Sequence, residues 1–160
     1  KKLKSIKVLN KLGKIKKKFD IITLFHVLEH LPYQIKFLKS LKSKLRKNGK
    51  LIIEVPHAED FLIKQKSLEE FKNFTFISRH LILHTVSSLK KILKASGFKK
   101  IKISFYQRYG FANALGWFLD KKPGGHNKYV NLSNSNLEKE YAKNLIKLKQ
   151  TDTLIAIAEI

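Results

Sequence analysis

At 160 residues the chain has the length of one domain, and a hydrophobic content of 43% excludes a disordered tail. No apolar run approaches the ~18 residues of a membrane-spanning helix, and the absence of cysteine excludes disulfides and thiolate metal sites, which fits a cytoplasmic, reducing setting. The net charge of +22 admits a nucleic-acid or anionic-membrane partner. The positive charge is nearly all lysine, however, spread along the chain with Arg46, Arg79 and Arg108 as the arginines. A phosphate-reading surface would use more of arginine's planar fork, so AT-rich coding accounts for this composition better.

Residues 1–18 read as a basic lead-in with scattered apolar positions (Ile6, Val8, Leu9, Leu12, Ile15) and no signal-peptide core. Residues 19–25, Phe-Asp-Ile-Ile-Thr-Leu-Phe, are apolar on both faces, the pattern of a buried central strand in a parallel sheet. His26, Glu29 and His30 follow directly, ahead of Pro32. Ile35, Leu38, Leu41 and Leu45 then recur at helical spacing, and Asn48-Gly49 is expected to close that helix with a left-handed glycine. Residues 50–55 form a second strand ended by Pro56, which completes a βαβ unit and brings His57 to the same sheet edge as His26.

Residues 61–76 are expected as helix followed by loop. Thr85 or Ser87 caps a helix carrying Val86, Leu89, Ile92 and Leu93, stopped by Gly97. Ile101, Ile103 and Phe105 alternate with polar residues as a half-exposed strand. An aromatic stretch over 106–128, with Pro123-Gly124-Gly125-His126, precedes a helix marked by Leu137, Tyr141, Leu145 and Leu148, and an apolar strand over 153–160 ends the chain.

His26-Val27-Leu28-Glu29-His30 spells the His-x-x-Glu-His zinc-peptidase signature. On a helix, His26 and His30 would share a face and Glu29 would serve as base, with Glu69, Glu70, Glu138 or Glu140 as a third ligand. The motif follows a strand with no intervening helical turn, so this zinc-hydrolase reading is the minor alternative and no metal is assigned.

The linked order fits another family better. Phe19-Asp20-Ile21-Ile22, then Val27-Leu28-Glu29-His30-Leu31, then Asn48-Gly49-Lys50 and a strand ending in Pro56 resembles the class I S-adenosylmethionine-dependent methyltransferases. Arg79-His80-Leu81 and the later Gly97-Phe98 resemble the second part of the same family.

That resemblance implies a Rossmann-like α/β sheet. Residues 19–25 would be its fourth strand, 50–55 the fifth, 100–106 the sixth and 153–160 an antiparallel seventh inserted between the fifth and sixth. Residues 108–150 would be a mainly helical insert or lid within a single partial domain spanning 1–160. The family's glycine-rich loop is not matched: no Gly-x-Gly occurs in the sequence, and no methionine either. The expectation is an amino-terminally truncated methyltransferase domain, inactive alone, that binds S-adenosylmethionine weakly or not at all.

By the same resemblance Phe25 and His26 line the cofactor, and His30 and His80 are the candidates for a catalytic base, since imidazole titrates near neutral pH. Glu29, His57, Arg108 and His126 are candidate acceptor contacts. The acceptor expected is a small molecule such as a sugar, glycan or lipid precursor, with RNA as the alternative.

Overall fold

The computed structural model describes residues 12–77 and 79–160, so most of the basic lead-in lies outside the described residues. Among the described residues four strands form one mixed sheet in the order β1-β2-β4-β3. They are β1 (Phe19–Phe25), β2 (Leu45–Pro56), β3 (Lys99–Tyr106) and β4 (Thr153–Glu159). β1 and β2 are parallel, joined by α1 (Gln34–Lys42), and β4 runs antiparallel to both β2 and β3. The expected reversed last strand between its two neighbours is therefore present. Thr153 at the start of β4 pairs with Pro56 on one side and Tyr106 on the other, so β2 and β3 end level with each other across the start of β4.

The main core sits on this sheet. Leu51, Ile53 and Val55 alternate inward along β2, and Leu154, Ala156 and Ala158 do the same along β4. Leu38 and Leu41 of α1, with Leu89 and Leu93 of α3 (Val86–Ala95), cover that face. Each such leucine contributes about 1.5–3 kcal/mol by leaving water. Thr85 caps α3 as the sequence suggests: its hydroxyl accepts from the Ser88 amide, and the Ser88 hydroxyl accepts from the Thr85 amide. Such a cap is worth about 1 kcal/mol. Gly97, at φ +83°, takes the left-handed turn after the helix.

A second cluster lies away from the sheet. α2 (Glu69–Thr75), α4 (Phe111–Asp120), the four-residue α5 (Gly125–Lys128) and α6 (Ser135–Leu148) complete the fold. Leu62, Leu68, Phe71, Ala114 and Trp117 pack together there, with Tyr141 of α6 against them. α4 and α5 approach so closely that a Cβ on Gly116 would meet the Gly125 Cα at 2.5 Å, which explains two glycines at that crossing.

Three local expectations are corrected. β1 is not a buried central strand: Leu24 is its one buried residue, and Ile21 and Phe25 are each 56% exposed. The reason is that β1 borders β2 alone and forms an edge among the described residues. Asn48-Gly49 does not close a helix. α1 stops at Lys42, and residues 46–49 bulge within β2, where the step from Phe19 to Ile21 faces the longer step from Leu45 to Lys50. Asn48, not Gly49, takes the left-handed conformation (φ 64°), while a Cβ on Gly49 would press on the Arg46 carbonyl at 2.9 Å. Finally, residues 61–76 run turn first and helix second. The Asp60 carboxylate accepts from the Leu62 amide at 2.8 Å and organises the turn, and Glu69 and Glu70 favour a helix start through the helix dipole.

Candidate functional site

The end of β1 is where ionisable groups converge. His26 leaves the strand in a left-handed conformation (φ 51°), and its amide donates to the Glu54 carbonyl of β2 at 3.0 Å. That turn aims the imidazole across the edge: Nε2 lies 3.0 Å from the Glu54 carboxylate, and Nδ1 lies 3.3 Å from Glu29. From the other side Arg108 donates to Glu54 at 2.9 Å and touches the same His26 nitrogen. An acid, an imidazole and a guanidinium thus close a polar lip beside the exposed ring of Phe25.

Arg108 is held from behind. Asp152, just ahead of β4, accepts the Arg108 amide at 3.0 Å, the Tyr109 amide at 2.9 Å and the Gln107 side chain at 2.8 Å. Burial pushes its carboxyl above the usual range, opposed by these backbone donors. Glu54 and Asp152 were not among the residues singled out from sequence. The available signal was an acid inside an apolar strand and an acid opening the last one.

Below the lip, the turn Leu28–His30 and the loop at 79–82 are stitched together. The Glu29 carbonyl accepts the amides of Leu81 and Ile82 at 2.9 and 3.2 Å. His30 Nδ1 donates to the Arg79 carbonyl at 2.6 Å and His80 Nδ1 to the Thr75 carbonyl at 2.7 Å. Both assignments follow because a carbonyl only accepts. The two rings stand 5.0 Å apart between centroids.

Arg108 and His126 meet at a cavity of about 540 Å³ between the 107–110 loop, α4 and α6, which Glu138 and Tyr141 also line. Such a volume suits a small ligand. His57 does not join the site. It is buried beneath the Thr151 carbonyl, to which Nδ1 donates at 2.9 Å, and packs on Phe105. Burial lowers its pKa.

The zinc-peptidase arrangement is not formed. His26 ends a strand and Glu29-His30 lie in a short 3₁₀ turn, so the two histidines do not share a helical face. The His26 ring is committed to Glu54 and Arg108 instead.

Comparison with known proteins places this geometry in a family. Residues 4–103 match the family model described as Methyltransferase domain. A tRNA U34 carboxymethyltransferase of Campylobacter jejuni subsp. doylei is 31% identical over 90 residues, covering 54% of this chain and 29% of the relative. The chain therefore spans less than a third of that relative's length. Among solved structures, a SAM-dependent methyltransferase from Archaeoglobus fulgidus superposes with a TM-score of 0.54 at 19% identity, covering 93% of this chain and 63% of the other. A SAM-dependent methyltransferase from Thermotoga maritima gives 0.56 at 14% identity, covering 94% and 61%. At these identities the structures show the fold, that of S-adenosylmethionine-dependent methyltransferases, and the family match over residues 4–103 shows that the chain belongs to the methyltransferase-domain family.

Proposed function

We propose that this chain forms the acceptor side of an S-adenosylmethionine-dependent methyl-transfer cleft. The observation that carries the reading is the convergence of His26, Glu54 and Arg108 at the end of β1, beside exposed Phe25. S-adenosylmethionine supplies an activated methyl group, and such enzymes contribute mainly proximity, alignment and sometimes a base. Phe25 offers an apolar wall and His26 a polar one, which fits one side of a bound cofactor. Among the described residues no glycine-rich loop follows a strand to cradle a nucleotide. Arg108 and His126 would hold an acidic or hydroxylated acceptor, and Glu29 would bear on it from beneath. His30 and His80, each with Nδ1 fixed as a donor, present Nε2 as the basic nitrogen that could take an acceptor proton.

Calorimetry of this chain with S-adenosylmethionine is expected to show no micromolar binding. At millimolar S-adenosylhomocysteine, amide shifts in a nitrogen–proton spectrum should centre on Phe25 and His26. Shifts confined to other parts of the sheet would remove the reading, and saturable micromolar binding would refute the weak affinity.

The cavity beside Arg108 favours a small-molecule acceptor. A second reading, RNA, is supported by the net charge of +22 and by relatives named for tRNA. The two separate in a transfer assay on the full-length protein with methyl-labelled cofactor and a cell extract. Label is expected in the low-molecular-weight fraction, whereas label in RNA, with binding that weakens steeply in salt, would reverse the order.

A further inference from the structure

We propose that Glu29, His30 and His80 form a binding site for a divalent first-row transition-metal ion. One ligand atom from each of the three lies within 4.8 Å of the others. The strongest observation is Glu29 itself. It is 0% exposed, and neither carboxylate oxygen has a hydrogen-bond partner. A buried carboxylate without donors is costly unless a cation offsets it. His26 Nδ1 stands 3.3 Å from one Glu29 oxygen, a contact outside hydrogen-bond geometry, and both carboxylate oxygens remain without a hydrogen-bond partner.

The histidines carry the second half of the argument. In each, Nδ1 is bound to a backbone carbonyl, at Arg79 for His30 and at Thr75 for His80. This leaves Nε2 with its lone pair in the neutral ring and fixes the ring plane. Metal-ligating histidines are oriented by this same outer hydrogen bond. His30 Nε2 already stands 3.8 Å from Glu29. Donors around an ion with bonds of about 2.0–2.1 Å sit about 3.3 Å apart, so the three must close by roughly an ångström. That closure has to come from small shifts of the two histidine side chains, His30 exposed and His80 half-buried, with their Nδ1 bonds kept.

Two imidazoles and one carboxylate, with no cysteine in the chain, select zinc, manganese, cobalt or iron(II) over magnesium or copper(I). Three protein ligands leave further coordination positions open, and in the loaded site both Nε2 lone pairs are taken, so the ion replaces the base role proposed above for His30 and His80. This set differs from the zinc-peptidase pattern: Glu29 is a ligand here and not a base, and His80 replaces His26.

The test uses the chain treated with chelator, dialysed, and titrated with cobalt(II) and zinc(II). Calorimetry should give one equivalent of either ion, and cobalt should develop a visible ligand-field band. Glu29→Gln, nearly the same size, and His80→Ala should each weaken binding at least tenfold, while Glu140→Gln on the exposed face of α6 leaves the isotherm unchanged. Circular dichroism checks the fold of each variant, and His80→Ala decides the matter should Glu29→Gln misfold. Absence of one-equivalent binding, or binding undiminished in His80→Ala, would overturn the proposal. The first outcome would leave Glu29 as the ion-pair partner of His26, and the second would place the ion on other histidines.

Discussion

Asp60→Asn is expected to raise the stability of the protein at pH 8 by about 4 kcal/mol and to leave it unchanged near pH 4. Asp60 is 6% exposed, and burial, with the Asp152 charge nearby, raises its pKa from 3.8 to about 7 despite the Leu62 amide bound to it. In the folded protein the carboxyl therefore holds its proton through a range where the unfolded chain has lost it. Its stabilising contribution is complete below about pH 4 and disappears as pH rises through about 7. A shift of three units corresponds to about 4 kcal/mol. Asparagine keeps the oxygen that accepts from Leu62 and has no proton to lose.

His84 supplies the opposite slope. Burial lowers its pKa from 6.5 to about 4, so its contribution is present above pH 6.5 and lost as pH falls through 4. In the wild type the two slopes oppose each other over the same window. In Asp60→Asn the Asp60 slope is gone: His84 alone would lower stability by about 3 kcal/mol between pH 7 and pH 4, with His57, lowered by burial, adding to that fall and Asp152, raised by burial, opposing it. Urea unfolding midpoints across that range measure both effects. Equal midpoints for variant and wild type at pH 8 would remove the buried-carboxylate account.

The other large effect is expected at Phe71. Its ring meets Trp117 edge-on at 4.9 Å between centroids, with Phe74 on the same indole at 5.1 Å. Phe71→Ala opens a cavity at the centre of the helical cluster and should cost about 3–5 kcal/mol. Trp117 is the one tryptophan in the chain and is 2% exposed, so its emission reports this site alone. A shift of that emission to longer wavelength should accompany the loss of stability. Unchanged emission with normal stability would mean that the indole is held by Leu62, Leu68 and Ala114 without the ring.

The strands were legible because each carries its own pattern, alternation in 101–105 and apolar runs at 50–55 and 153–160, whereas the reversal of the last one followed only from the resemblance to a known family. Ordered together, these matched a known family. The exposure of β1 was not legible, since a strand's burial depends on which neighbours it has and its sequence reports only its own faces. Asn48-Gly49 misled because a left-handed residue ends helices and makes bulges equally well. Among the site residues, Phe25, His26, Glu29, His30, His80 and Arg108 do gather near one edge. His57 was drawn in by its position after a strand, which sets its place along the chain but not the direction of its side chain. Glu54 and Asp152 went unnoticed because their importance comes from partners 54 and 44 residues away, at Arg108.

The placement of β4 also has a consequence for biosynthesis. It is the middle seam of the sheet, and β2 and β3 touch it and not each other. Until residues 153–159 have left the ribosome, β2 and β3 each keep a bare edge, and Leu51, Ile53 and Val55 lack their lateral neighbours Ala158, Ala156 and Leu154. Long-range pairing of this kind is slow and leaves growing chains prone to mispairing. The sheet can therefore close only once residues 153–159 are available to pair with both strands.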